Sequence, residues 1–196
     1  MNISQKKFSN RTNFKFGDDS LEYTVKDKGG SQTFSVEYGA IASGSGEIEE
    51  RNAWYRNVGF FWVLIGGFVI FSRYTDTGEI KGSIWLTLGI ICFALYWILK
   101  TTYTTLDSEK GRIFIIKDSS HDEIKDEIET RRKNQWFRWY GTIDYGNEPQ
   151  KEIGKFQWLL DRDAISEDQF VELRTQILDY HGLNLPETFA EERTIN

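Results

Sequence analysis

Short alternations of apolar and polar residues open the chain. Phe14 and Phe16, then Leu21, Tyr23 and Val25, then Phe34, Val36 and Tyr38 recur at every second position. That is the period of a half-buried β-strand. Gly17-Asp18-Asp19 and Lys28-Gly29-Gly30 separate the runs with turn formers. A strand meander is expected within residues 1–50, ending in a flexible polar link, ASGSGEIEERN, in which Gly44-Ser45-Gly46 serves as linker.

The alternation then gives way to two uncharged runs. NVGFFWVLIGGFVIFS lies between Arg56 and Arg73, and GSIWLTLGIICFALYWIL between Lys81 and Lys100. As helices, at about 57–73 and 83–100, their sixteen and eighteen uncharged residues would extend roughly 24 and 27 Å. That is slightly short of a hydrocarbon core of about 30 Å, a gap that snorkelling Arg56, Arg73, Lys81 and Lys100 close. The ten Val, Leu, Ile and Phe residues of the first run contribute about −3 to −6 kcal/mol toward insertion. Trp54, Tyr55, Tyr74, Trp85, Tyr96 and Trp97 lie toward the ends, where aromatic rings favour the water–lipid boundary. Two helices apolar all round would otherwise need a large soluble core to cover them. A transmembrane helical hairpin over 54–100 is expected, reversed by the polar connection RYTDTGEIKG.

Beyond it, TTYTTLD and RIFIIKD predict two strands joined by a DSEKG turn. A helix follows. Ser120 and Glu123 are placed as a capping box, acids precede Arg131, Arg132 and Lys133, and Ile124 and Ile128 mark a buried stripe. The run Asp122–Glu129 reads as its solvated face. Each set of strands is small for a sheet of its own, so both are expected to close one sheet with the helix packed on it. The predicted fold class is an α+β membrane protein, a small antiparallel β domain (1–50 and 101–145) split by the hairpin. Residues 150–182 predict a second, C-terminal helical hairpin. Ile153, Phe156 and Leu160 form one stripe; Phe170, Leu173, Ile177 and Leu178 form the other. Ser166 with Gln169 caps the second helix, and Gly182 and Pro186 end it before a tail, 183–196.

The order of strands, two-helix insertion, strands and closing helix, from residue 12 to about 135, resembles bacterial membrane proteins with a pleckstrin-homology-like (PH-like) domain. The resemblance implies a half-open β-barrel plugged by a helix, and binding or assembly instead of chemistry. The run WLLDRDAISEDQFVELRTQIL resembles the short C-terminal domain found at the ends of many bacterial proteins. Leu159, Leu160, Ile165, Ser166, Phe170, Ile177 and Leu178 fall at its hydrophobic and capping places, while Asp163 stands where a turn glycine is usual. That resemblance implies association. Phe156, Leu160, Phe170, Leu173 and Ile177 are the expected contacts with a protein partner or a second copy.

Charge refines this picture. Arg51, Arg56, Lys100, Lys110, Arg112 and Lys117 flank the outer ends of the hairpin, against Arg73 and Lys81 in its loop. The positive-inside bias therefore places both termini in the cytoplasm of a multi-pass protein of the bacterial inner membrane. The N-terminal MNISQKKFSNRTNFKF lacks a secretory apolar core. A formal net charge of −6 argues against nucleic acid as partner.

Candidate chemistry is sparse. In RRKNQWFRWYG, Arg131, Arg132, Lys133 and Arg138 interleave with Trp136 and Trp139, a composition suited to anionic lipid headgroups. Equally, the bases complete a helix C-terminus and the aromatics belong to the core or a following strand. His121 and His181 read as exposed structural residues, and Cys92 lies within the second span. No metal, phosphate-loop, dinucleotide or hydrolase pattern is present. Neither cofactor nor catalysis is expected. Gly66, Gly67 and Gly89 are placed for close helix approach. The expected role is presentation of a PH-like domain at the membrane for protein interaction or assembly. The alternative is a sensor or immunity-type protein whose hairpin meets its target within the bilayer.

Overall fold

Alternation in the second and third strands puts Thr12, Phe14, Phe16, Leu21 and Tyr23 on one face, and all five are buried. The computed structural model describes residues 1–8, 10–27, 29–79 and 82–183. Lys28 of the expected turn, Lys81 beside the second span, and Pro186 with 184–196 of the tail lie outside the described residues. The fold is α+β. Strands β1 (Asn2–Lys7), β2 (Asn10–Phe16), β3 (Ser20–Asp27) and β4 (Gly30–Glu37) form one antiparallel sheet in sequence order. A 3-10 turn at Tyr38–Ala40 carries the chain to a second antiparallel sheet of β5 (Ile41–Arg51), β6 (Lys100–Ser108) and β7 (Gly111–Ile116). Helices α1 (Ala53–Thr77) and α2 (Ile84–Ile98) form the insertion between β5 and β6. Helices α3 (His121–Tyr140), α4 (Pro149–Leu160) and α5 (Glu167–Tyr180) follow.

Strands from both sides of the hairpin do meet, since β5 pairs with β6, but they do not close one sheet as expected. Tyr38, fully buried at the 3-10 turn, hydrogen-bonds through its hydroxyl to the Gly17 carbonyl 2.9 Å away and pins the corner where the chain changes sheet. The reason is burial. Two facing sheets cover each other's apolar faces, and one core gathers Phe14, Leu21, Tyr23 and Val36 from the first, Ile41, Leu106, Ile113 and Ile115 from the second, and Ile124 and Ile128 from α3. Each fully buried side chain of this kind contributes about 1.5–3 kcal/mol.

Two strands differ from expectation. Residues 2–7 form β1, and the supposed link after Ala42 is most of β5. From Ala42 to Glu50 every residue of β5 is exposed, so no alternation marks it; its backbone pairing with β6 makes it a strand. The α3 capping box is also absent: the Ser120 side chain makes no cap. Asp118 replaces it, its carboxylate accepting from Ser120 N at 2.9 Å and its carbonyl from His121 N at 3.2 Å. His121 is half-buried, not exposed, and its ring bonds Thr104 Oγ1 at 2.7 Å, tying the start of α3 to β6.

Strand β7 would be an open edge. Lys117 N donates to Thr102 O, which turns the backbone groups of Phe114 and Ile116 away from β6. Side chains of the first sheet meet them. The Tyr23 hydroxyl accepts from Phe114 N at 3.1 Å and donates to Phe114 O at 3.3 Å. Buried Gln5 accepts from Ile116 N at 2.9 Å and donates to Ile116 O at 2.8 Å. Burial pushes the Tyr23 phenol well above its ordinary range, and burial with the neighbouring Glu50 pushes Tyr103 up to about 12.

Tyr23→Phe keeps the ring but leaves two buried backbone groups unpaired, so a loss of about 1–3 kcal/mol in unfolding free energy is expected by chemical denaturation in detergent. Both phenols ionise later in the folded than in the unfolded chain, where tyrosine titrates near about 10. The unfolded state therefore sheds its protons first. Their contribution is complete below that pH and is lost as pH rises toward about 12. Alkaline melting curves should show this decline, shallower in Tyr23→Phe.

Candidate functional site

The apolar hairpin grows directly out of the β5–β6 ladder. Arg51 and Lys100 are paired neighbours in that ladder, and a single residue, Asn52 or Leu99, separates each strand from its helix. Asn52 caps α1, its side chain accepting from Trp54 N at 3.0 Å. Glu49 takes Lys100 Nζ at 2.5 Å and Arg51 at 3.5 Å. The Lys100 ammonium, then Arg51, hold its carboxyl below the ordinary range. The Arg51 guanidinium lies 4.3 Å over the Trp97 ring. The root is thus a collar of charge and aromatic rings. Phe8, Asn10, Glu50 and Thr101 help line a cavity of about 340 Å³ beside it.

Glycine sets the contact between the two helices. A Cβ at Gly66 would fall 2.5 Å from the Leu86 backbone nitrogen, and one at Gly89 would fall 2.6 Å from Val63. At Gly67 nothing lies within 4 Å, so of the expected pair only Gly66 faces α2. Trp62 and Trp85 stack with centroids 4.7 Å apart and planes 11° off parallel. The large apolar side chains point outward: Phe60, Phe61, Leu64, Phe68 and Phe71 on α1, and Ile84, Ile90 and Ile98 on α2, are each more than half exposed. Only 11% of the most apolar stretch of α1 is covered by protein. Among the described residues α1 alone is long and apolar enough to cross a membrane, and α2 spans 15 residues. The first helix continues through Arg73, so much of the expected loop is helical, ending at Gly78 in a left-handed conformation (φ 67°). Close packing needs α1 intact past Gly66.

The basic–aromatic stretch meets its expectations only in part: Trp136 does belong to the core. Arg131–Lys133 lie in mid-helix, and α3 runs on to Tyr140, with no strand after it among the described residues. Arg131 bonds Glu127 at 2.6 Å and the Gly17 carbonyl at 2.7 Å. Lys133 lies 3.3 Å from Glu129, and Arg138 pairs with Asp19 at 2.7 Å. Arg132 and Trp136 are buried and donate to the Ala42 and Gly39 carbonyls at 3.0 and 3.2 Å. Trp139 packs across Gly39. Apart from Glu127 and Glu129 on α3 itself, these partners belong to the β2–β3 turn and the β4–β5 corner, the opposite end of the strands from the hairpin root. Of the residues expected at lipid, Arg132 and Trp136 are buried, whereas Arg131 and Lys133 are half-buried and Arg138 and Trp139 exposed. Interleaved bases and rings here strap α3 to two turns.

The C-terminal hairpin folds as its capping pattern predicts. Ser166 and Gln169 form the complete capping box. Asp163 takes the left-handed conformation (φ 52°) of the turn glycine it replaces. Ala164 N donates to Leu159 O and Asp163 N to Leu160 O, a Schellman closure of α4. Phe156, Leu159, Ile165 and Ile177 bury themselves against Trp136. Phe156 and Ile177 are therefore internal, which corrects their expected part in a partner contact. Leu160, Phe170 and Leu173 remain half-buried, beside exposed Val171.

Sequence reasoning passed over three residues here. Trp158 meets Trp136 and Tyr140 with centroids 5.3 and 5.5 Å away, and Arg162 lies 4.2 Å over it. Buried Glu152 accepts from Asp144 N, Asn147 and Lys155. Burial pushes its carboxyl up, but those donors outweigh burial and leave it below the ordinary range. The four-residue spacing of Trp158 and Arg162 across the end of α4 was the available signal. No family model matches the chain, and the searches of curated proteins and of solved structures return no match.

Gly66→Leu is expected to force the helices apart and lower stability in detergent by about 1–3 kcal/mol, whereas Gly67→Leu should melt like the parent protein. Asp163→Gly should raise stability by up to about 1 kcal/mol by relieving the left-handed backbone, read as a higher melting temperature.

Proposed function

We propose that this chain is a non-enzymatic, multi-pass membrane protein of a bacterial inner membrane. Its α1–α2 hairpin anchors a cytoplasmic PH-like domain that presents α4–α5 for protein interaction or assembly. The observation that carries this reading is the outward apolar surface of α1 and α2 above a charged, aromatic collar. Leaving Phe60, Phe68, Phe71, Ile90 and Ile98 in water would cost about 1.5–3 kcal/mol each relative to burial. Lipid removes that cost. The short α2 is accommodated by local thinning or by snorkelling from Lys100. Two facing antiparallel sheets with α3 across their open end agree with a half-open barrel plugged by a helix. The collar holds the domain in one orientation. Confinement at the surface raises the effective concentration of weak contacts.

Membranes carrying the full chain should retain it after alkaline carbonate washing, and tags on both termini should be accessible from the cytoplasmic side alone. Release by the wash, or tags on opposite sides, would count against the anchor. Val171→Glu together with Leu173→Ser should shrink the detergent-solubilised complex while the melting temperature stays within a few degrees. An unchanged complex removes α5 from the assembly surface. If exchanging α1–α2 for an unrelated hairpin abolishes function, the hairpin itself meets a target in the bilayer.

A further inference from the structure

The buried guanidinium of Arg132 is the least explained charge in the soluble part. The residue is 6% exposed. One nitrogen donates to the Ala42 carbonyl, and the Trp136 ring lies 5.2 Å away. Its Nε is buried with no hydrogen-bond partner among the described residues. Burial lowers its pKa, and Glu129 offsets this only in part. A cation kept this far from water without a carboxylate of its own is costly.

Arg132 borders a cavity of about 240 Å³ between β5, α3 and the α4–α5 turn. The cavity also meets Lys125, Arg162, Ser43 and Ser45. Ser43 lies in the irregular stretch of β5 where pairing with β6 shifts between Ile41 and Ser45. Lys125 is half-buried and forms no ion pair among the described residues. Three acids stand at the rim, and other donors occupy them. Lys133 lies 3.3 Å from Glu129 and 3.7 Å from Asp163, and Gln157 donates to Asp161 at 2.8 Å.

We infer that this cavity binds a soluble phosphate-bearing anion, held by Arg132 from below and by Lys125 and Arg162 at the sides. Three cations from separate positions, with two serine hydroxyls, suit a tetrahedral group that offers three oxygens. A planar carboxylate offers two. Arginine is the residue suited to such anions where water is scarce. The phosphate source is soluble, not a lipid headgroup. Ser45 lies six residues up the strand from Arg51, roughly 20 Å at about 3.3 Å per residue, from the root of the hairpin. That last step rests on the membrane reading; the cavity itself does not.

The test uses the full chain in nanodiscs of phosphatidylcholine, melted with inorganic phosphate at fixed ionic strength against chloride. Phosphate should raise the melting temperature saturably, and chloride should not. Lys125→Gln and Arg162→Gln should each weaken the apparent affinity roughly tenfold, with melting in chloride unchanged in Lys125→Gln and each variant's shift read against its own chloride curve. Arg132→Met should abolish the effect. Should that variant fail to fold, the two rim variants decide alone. No stabilisation by phosphate, equal stabilisation by acetate, or full affinity in both rim variants overturns the site. Stabilisation by phosphatidate in the bilayer without free phosphate overturns the soluble source. None of these results alters retention in carbonate-washed membranes, so this site and the anchor fail separately.

Discussion

The pairing of β5 with β6 is the interaction from which the rest of the architecture follows. It joins a strand made before the apolar hairpin to one made after it, and Arg51 meets Lys100 at the point where an ordinary β-hairpin would turn. Replacing that turn by α1 and α2 costs little in topology, because the two strand ends are already adjacent. It also fixes geometry. With one residue between each strand and its helix, the ladder and the helices share an orientation. The Arg51–Trp97 contact and the Glu49–Lys100 pair stiffen the joint. Exposed ion pairs contribute little to stability. Their effect here is directional.

A second constraint keeps the two sheets together. Backbone pairing ends at β7, so closure depends on side chains that imitate a strand. Tyr23 and Gln5 each satisfy both the N–H and the C=O of one β7 residue. An apolar residue at either place would fit the core but strand two backbone groups without water. A buried glutamine in a first strand is therefore as structural as the phenylalanines beside it. It holds β1 against β7, a strand about a hundred positions later.

What was legible in the sequence tracks which physical signal each element carries. β2, β3, β4, β6 and β7 present one apolar face, and their alternation or run of branched residues announces them. β1 and β5 do not, because solvent meets most of β5 and β1 buries only Gln5. The Ser166 cap was readable because a serine and a glutamine three residues apart need no distant partner. The equally plausible box at Ser120 lost to Asp118, which a long-range bond from Gln5 holds in place. The stretch from Arg131 to Trp139 looked like a surface motif. Its partners, the Gly17–Asp19 turn and the Gly39–Ala42 corner, lie some ninety to a hundred and twenty residues away in sequence. No local pattern could reveal them. Asp163 stood where a glycine is usual, so the sequence left the turn geometry open; its φ of 52° is left-handed.

Helix α3 serves two cores at once, and this explains its odd composition. Ile124 and Ile128 enter the core between the two sheets near its start, while Trp136 belongs to the core under α4 and α5. Between them the helix must pass the β4–β5 corner, where an apolar side chain would leave the Ala42 and Gly39 carbonyls without donors. Arg132 and Trp136 supply those donors while remaining buried, and buried Gln135 accepts from Gly39 N and donates to the Asp19 carbonyl. The charge on Arg132 is more than that bond requires, since a neutral donor such as Gln135 serves the neighbouring backbone equally well. The surplus faces the cavity below the α4–α5 turn. A displacement of the C-terminal hairpin would open that cavity and expose Trp136 together, so occupancy there and the seating of α4–α5 on α3 are thermodynamically linked.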